Sequence, residues 1–377
     1  MPEFSIRRFH LVVILVCVCF GLGAVITQAQ GTSADPGSQV EYTVEQYKPA
    51  NYPVAMAFTA DGRLFYTEKA TGIVRVIPAG DSGPSQPVIT FPVDSLVERG
   101  LLGIALDPNY NENGYIWVVA THPGDAQNYP ANQIIRFREE NNVGSEPLVM
   151  LTEPIKTGEL KHNGGNVHFD SDGLLYVSFG ELGDEANSQD LNTIPGKIHR
   201  FQVVEDHLEA APGNPFPNSS IYAYGLRNPF DFAFDPFSGG LFAAENGFKC
   251  DDEIDLILPG KNYGWGPDYG EQCFGMNPVD VPDYQAPLVS FTPTIGMAGI
   301  TFYGDGAAFP EWAGNIFFCN WNAGAMQRAV LDEARTAITA VYPVDLQGFF
   351  CRIDVTVGPE GGLYFADPGG IYRIVPK

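Results

Sequence analysis

Four groups of residues in this 377-residue chain have the types and spacing to do chemistry. His162 is followed by Asn163-Gly164-Gly165. A histidine can take up a proton near neutral pH, and the adjacent glycines let a flat ligand approach the backbone closely. Arg227 and Asn228 stand side by side; a guanidinium stays charged and presents a planar fork of donors. Asp251, Asp252 and Glu253 form an acidic run that reads as a solvated turn more often than as a set of metal ligands. Beyond the N-terminal segment stand Cys250, Cys273, Cys319 and Cys351. Taken alone, His162 reads as a turn or solvent-facing histidine, and Arg227 and Asn228 as ties between strands. No Gly-x-Gly-x-x-Gly follows a strand and opens a helix, so a nicotinamide site is unsupported. No Cys-x-x-Cys spacing supports a thiolate metal site.

The fate of the cysteines depends on the compartment. Residues 1–29 read as a secretory signal: Arg7 and Arg8 give a basic start, Leu11 to Val25 an apolar run, and Thr27-Gln28-Ala29 a cleavage site before Gln30. The run is short for a retained membrane anchor, and Cys17 and Cys19 lack the preceding small residue of a lipid-attachment signal. The expected protein is therefore secreted or periplasmic, with no stable membrane insertion once the signal is cut. An even number of remaining cysteines then predicts two disulfides, with three possible pairings. Locality favours Cys250 with Cys273 and Cys319 with Cys351. Asn218-Ser219-Ser220 fits a glycosylation acceptor, a triplet that often arises by chance. The chain carries 21 basic and 45 acidic residues, a net charge of −24. Such a charge favours solubility and repels nucleic acid and anionic membrane, so no nucleic-acid partner is expected.

Residues so far apart need a scaffold to meet. A turn with Gly or Asp-Gly followed by an apolar or aromatic strand recurs at Asp61-Gly62, Asn113-Gly114, Asp172-Gly173, Gly239-Gly240, Gly314-Asn315 and Gly361-Gly362. The turn glycine accepts backbone angles that other residues resist. Several copies have a partner strand just upstream, as in Val54 to Phe58 before the first and Leu102 to Leu106 before the second. Each unit reads as the inner hairpin of a blade, and six units predict an all-β, six-bladed β-propeller. The irregular spacing leaves a β-sandwich open on periodicity alone. The expected organisation is a signal peptide at 1–29, a flexible leader at 30–40 and one propeller domain at 41–377. The stretch from Gly260 to Thr292, rich in Gly, Pro and Asp, is expected to sit over one mouth of the central channel.

Longer motifs are more specific. Glu98-Arg99-Gly100-Leu101-Leu102-Gly103-Ile104-Ala105-Leu106-Asp107-Pro108 and His162-Asn163-Gly164-Gly165 resemble hallmarks of the glucose/sorbosone dehydrogenase family. Gly196-Lys197-Ile198 with Arg200, Tyr224-Gly225-Leu226-Arg227-Asn228-Pro229, Glu245-Asn246-Gly247, Asp251-Asp252-Glu253-Ile254 and Gly260-Lys261-Asn262-Tyr263-Gly264-Trp265 follow in the family's order. The family includes quinoprotein sugar dehydrogenases. It also includes animal extracellular propellers, the hedgehog-interacting proteins and relatives, toward which the Glu98-Arg99-Gly100 and Leu226-Arg227-Asn228 wording leans.

The resemblance implies an exported enzyme that oxidises aldose sugars with pyrroloquinoline quinone and Ca²⁺, and passes electrons to an external acceptor. His162 matches the catalytic base. Glu181 stands where the family has an aspartate that orients the histidine; it is one methylene longer, and Asp184 is the alternative. Arg227 matches the arginine that polarises the quinone carbonyl, and Asn228 a neighbouring cofactor contact. Gly247 and Phe248 match the positions whose main-chain carbonyls bind calcium, with Phe248 in place of the usual proline. These groups are expected to come from separate blades and converge on one mouth. Several positions depart from the pattern. Glu98 replaces a cofactor-contacting glutamine, Lys161 an aspartate, and the region of Asn320-Trp321-Asn322 lacks a lysine. Arg352 stands alone where paired arginines grip the quinone carboxylates, and Lys161 or Arg99 are candidates to compensate. Two other readings follow: a non-catalytic extracellular propeller binding a protein or glycan partner, and a calcium-dependent six-bladed lactonase, which would gather carboxylates and Asn at the channel axis.

Overall fold

Five-residue apolar strands such as Leu64–Glu68, Leu175–Phe179 and Leu241–Glu245 are buried along their whole length. A strand apolar on both faces needs cover on both sides, and stacked sheets supply it. The computed structural model describes residues 35–377 apart from 82, 157 and 269–271; the expected signal segment lies outside the described residues. The first strand, β1 (Tyr42–Pro49), is followed by six sheets in chain order. The first is β2 (Pro53–Phe58), β3 (Leu64–Glu68), β4 (Ile73–Ile77) and β5 (Gln86–Thr90). The second is β6 (Leu101–Leu106), β7 (Tyr115–His122), β8 (Ala131–Glu140) and β9 (Val143–Pro154). The third is β10 (Val167–Phe169), β11 (Leu175–Phe179), β12 (Lys197–Val204) and β13 (His207–Ala210), with β14 (Ile221–Tyr224) also pairing to β12. The fourth is β15 (Pro229–Phe234), β16 (Leu241–Glu245), β17 (Asp252–Ile257) and β18 (Val289–Phe291). The fifth is β19 (Met297–Phe302), β20 (Ile316–Asn320), β21 (Ala325–Leu331) and β22 (Ile338–Val344). The sixth is β23 (Val355–Val357), β24 (Leu363–Asp367) and β25 (Gly370–Pro376), closed by β1 at its outer edge.

The six sheets are the blades of a β-propeller, and each recurrent glycine turn joins a blade's first and second strands. Alternate residues of a strand face opposite blades. Thus Leu64 and Tyr66 pack toward the sixth blade while Phe65 packs toward the second. Six apolar clusters result, each shared by two neighbouring blades, which closes the ring. Closure is completed by pairing across the termini, from Tyr42 with Pro376 to Pro49 with Gly370.

Part of the segment expected to be a flexible leader makes local contacts with the propeller. Asp35 accepts from the Gly37 N–H at 2.8 Å, Pro36–Gln39 form a 3₁₀ turn, and Asp35 pairs with Arg328 of β21. Charge pairing to the fifth blade holds down a stretch whose composition alone reads as loose. Both disulfides have the pairing that locality favours: Cys250 with Cys273, and Cys319 with Cys351. Among the described residues no helix is long and apolar enough to cross a membrane.

Candidate active site

Because strands alternate in direction, the loops entering β2, β6, β10, β15, β19 and β23 gather at one mouth, opposite the glycine turns. With the turns between second and third strands they wall a cavity of about 510 Å³. Glu98, Lys161, His162, Arg227, Asn228, Gly247, Phe248 and Arg352 all line it, and Glu181 lies directly beneath His162. The expected residues therefore converge, but not from separate blades. His162 precedes β10 and Glu181 follows β11 of the same blade, and Arg227 and Asn228 lie at the junction of the third and fourth blades.

His162 Nδ1 meets Glu181 Oε1 at 2.6 Å, with Glu181 2% exposed and the imidazole 15% exposed. The contact fixes the ring and leaves Nε2 as the nitrogen available to the cavity. The extra methylene of glutamate is accommodated, and the exposed Asp184 instead caps the Ala186 N–H at 3.1 Å. His162 itself has φ +58°, a left-handed conformation that a non-glycine residue holds only when its surroundings enforce it. Three contacts do so. The His162 N–H donates to Glu98 Oε2 at 2.6 Å, and the His162 carbonyl accepts from the Leu182 N–H at 3.2 Å. Gly180 packs so closely that an added Cβ would lie 2.2 Å from that carbonyl oxygen. Glu98, expected to touch cofactor, thus has one oxygen committed to the His162 loop.

Arg227 is 9% exposed. Its Nη1 donates to the carbonyls of Asn246 at 3.0 Å and Gly247 at 2.8 Å, its charge lies 5.1 Å from the Trp265 ring, and its Nε is buried without a partner. Glu245 Oε1 accepts the N–H groups of both Arg227 and Asn228, at 2.7 and 3.0 Å. Asn228 Oδ1 accepts from the Gly164 N–H at 3.0 Å, and the Glu181 N–H donates to the Arg227 carbonyl at 2.8 Å. Asn228 is therefore a tie between the Arg227 and His162 loops as well as a wall of the cavity. At Gly247 a Cβ would lie 1.9 Å from the Cys250 carbonyl oxygen, so only glycine fits there.

The acidic run is not a solvated turn. Asp252 is 1% exposed and takes the N–H groups of Gly247, Ile295 and Gly296 at 2.9, 2.7 and 2.6 Å. Asp251 takes those of Phe274 and Gly275 at 2.6 and 3.1 Å, pinning the 260–292 insertion beside the Cys250–Cys273 bridge. That insertion and the β16–β17 turn enclose a smaller cavity of about 60 Å³ bordered by Glu245, Gly247, Glu253 and Trp265. Burial pushes the Glu245 and Glu253 carboxyls well above their ordinary range and Asp255 up to about 8.

The compensating cations expected from sequence fare differently. Lys161 is exposed on the cavity wall. Arg99 is 3% exposed and locked, with Nη1 on Asp94 at 2.7 Å and Nη2 on the Glu159 carbonyl at 2.5 Å. Arg352 pairs with Asp367 at 2.7 Å and lies 4.2 Å from the Phe350 ring. Lys69, Tyr52 and Asn322, which carried no sequence signal, also line the mouth. On the channel axis, Asp231 accepts from Asn166, from the N–H groups of Phe232 and Ile300 at 2.8 and 2.9 Å, and meets His168 at 3.1 Å. Asn166 and Asp354 line the same channel as Asp231, so carboxylates and an Asn do gather there, but the Asp231 carboxylate is committed to bonds inside the protein.

The model of the family described as glucose/sorbosone dehydrogenase matches residues 50–373. An aldose sugar dehydrogenase of Escherichia coli is 28% identical over 347 residues, covering 87% of this chain and 91% of that one. The quinoprotein glucose dehydrogenase B of Acinetobacter calcoaceticus is 31% identical over 243 residues, 57% of this chain and 50% of the relative. The PQQ-bound aldose sugar dehydrogenase of Streptomyces coelicolor superposes with a TM-score of 0.73 at 26% identity, covering 90% of this chain and 99% of that one.

Proposed function

The chain belongs to the glucose/sorbosone dehydrogenase family, and on that premise we propose that it is an exported quinoprotein that oxidises aldose sugars at the hemiacetal carbon. The observation that carries this reading is the buried Glu181 carboxylate 2.6 Å from His162 Nδ1, in a mouth that also holds Arg227. Two relatives are named as an aldose sugar dehydrogenase and a quinoprotein glucose dehydrogenase, and a third is bound to PQQ.

The residues present fit pyrroloquinoline quinone. Lys69, Lys161, Arg227 and Arg352 line the mouth of an otherwise acidic chain, which suits an anionic ligand. Arg227 Nε is a buried donor without a partner, and Phe248 and Trp321 offer flat apolar walls. Calcium requires oxygen ligands. The carbonyl of Gly247 and the buried, unpartnered Glu245 Oε2 border the smaller cavity. Binding through Gly247, with Phe248, would exchange the bond that Gly247 now accepts from Arg227.

When bound, the quinone supplies the hydride-accepting carbonyl. His162 Nε2 takes the proton of the sugar hydroxyl as hydride leaves its carbon. Glu181 holds the imidazole in register and stabilises the imidazolium that forms. Arg227 places a fixed positive charge where negative charge grows on the acceptor oxygen. The two disulfides support a place outside the cytoplasm, and reoxidation needs an external acceptor.

The test is to load the purified protein with calcium and the quinone and follow sugar-dependent dye reduction. His162→Ala should lose ~10²-fold or more in turnover while cofactor titration is nearly unchanged. Arg227→Ala should lose both, because its charge acts in ground and transition states. Equal activity in all three proteins excludes the mechanism. Absence of cofactor binding in the unmutated protein favours the non-catalytic propeller.

A further inference from the structure

The 45 acidic residues outnumber the 21 basic ones, and most buried or half-buried arginines are accordingly paired: Arg63 with Glu139, Arg99 with Asp94, Arg136 with Asp206, Arg335 with Asp235. Lys69 is an exception. It leaves the β3–β4 turn of the first blade and reaches the wall of the mouth. Its Nζ donates to a single neutral acceptor, the Ser95 carbonyl, at 2.9 Å, and among the described residues no carboxylate lies within ion-pair distance of it. Asp94 and Glu98 act on it only from farther off. Its charge lies 5.5 Å from the ring of Tyr52, whose ring centroid is 6.3 Å from that of Trp321. A half-buried ammonium with three donors and one protein acceptor has donor capacity left for a further acceptor, and a carboxylate suits it best.

We propose that Lys69 is the anion-receiving residue of this mouth, donating to a carboxylate of a bound molecule whose ring system lies along Tyr52 and Trp321. The inference builds on the quinoprotein reading but is separable from it. Two bound molecules present that chemistry: the quinone cofactor, with its carboxylates, and a sugar bearing an acid group, a hexuronic acid. Partial burial lowers the affinity of Lys69 for its proton, and an arriving carboxylate would reverse that effect.

The test uses Lys69→Met and Lys69→Arg in the full chain. Neither alters the Lys69 backbone carbonyl, which accepts from the Leu101 N–H at 3.0 Å. Quinone binding with calcium is followed by quenching of tryptophan fluorescence. D-glucuronate and D-glucose binding are followed by calorimetry, with and without quinone. Lys69→Met should weaken binding of one carboxylate ligand at least tenfold, while Lys69→Arg stays within about threefold and glucose binding without quinone does not change. A loss confined to the quinone assigns the cofactor carboxylate, and a loss confined to glucuronate assigns the sugar's. Unchanged affinity for both, or equal losses in the two variants with a lowered melting temperature, overturns the proposal. Glucuronate binding that depends on Lys69 in a protein that takes up no quinone would uphold the lysine's role and refute the quinoprotein reading. Sugar-dependent dye reduction indifferent to Lys69 would do the opposite, and an unmutated protein that binds neither carboxylate overturns the proposal.

Discussion

Glu181→Gln isolates the charge of one buried carboxylate from its shape. Glu181 is 2% exposed, and its Oε1 lies 2.6 Å from His162 Nδ1. Glutamine can accept the same hydrogen bond, so the ring keeps its orientation and its tautomer. What is lost is the attraction for the imidazolium that forms as the sugar proton is taken. Unit charges about 3.5 Å apart attract by about 4–5 kcal/mol at an effective permittivity near 20. Only part of that charge exists in the transition state, and the imidazole keeps 15% exposure, so about half applies. A loss of ~2 kcal/mol is a fall of about 30-fold in kcat, with KM and quinone affinity nearly unchanged. Glu181→Ala removes orientation as well and should fall toward the ~10²–10⁴-fold that a positioned base contributes. Glu181→Asp, shorter by one methylene, should lie nearer Ala than Gln. The assay is steady-state dye reduction at saturating quinone and calcium, with a melting temperature for each variant. Full kcat in Glu181→Gln, or a rise in KM that tracks the loss, refutes the reasoning.

Two further outcomes concern stability. Asp255 has both carboxylate oxygens buried without partners, and burial pushes it up to about 8. Between pH ~4 and ~8 the folded state then holds a proton that the unfolded chain has released, so this group makes stability fall as pH rises, by up to about 1.4 kcal/mol per pH unit. Asp255→Asn should flatten that slope and stabilise most at the alkaline end, read from urea midpoints between pH 5 and 8 with chelator present; an unchanged slope refutes it. The Cys319–Cys351 bridge spans 32 residues and joins the β20 strand to the loop entering the sixth blade. Replacing both cysteines by alanine should destabilise by about 3–4 kcal/mol in the chain-entropy picture, seen as a lower urea midpoint, and no change would show that the bridge adds nothing to closure already made by β1.

What could be read from the chain alone was what depends on short windows. The six turn glycines, the buried strands after them and the two disulfides all follow from backbone permissiveness, two-residue periodicity and proximity along the chain. That the motifs around His162, Arg227 and Gly247 share one mouth was what the family resemblance implied, and the fold places each where the chain enters or turns within a blade. Tertiary structure decided the rest. Closure by β1 joins Tyr42 to Pro376, a pairing that no local pattern encodes. Glu181 rather than Asp184 reaches His162 because the turn after β11 buries one acid and exposes the other. Asp252 is an internal organiser because loops from the fourth and fifth blades bring it three N–H groups. Lys69 enters the mouth from an ordinary strand turn, since blade stacking alone sets which side chains face the axis. Local sequence specifies the blade, whereas the charge lining the mouth is a sum over six loops that meet only when the ring is closed.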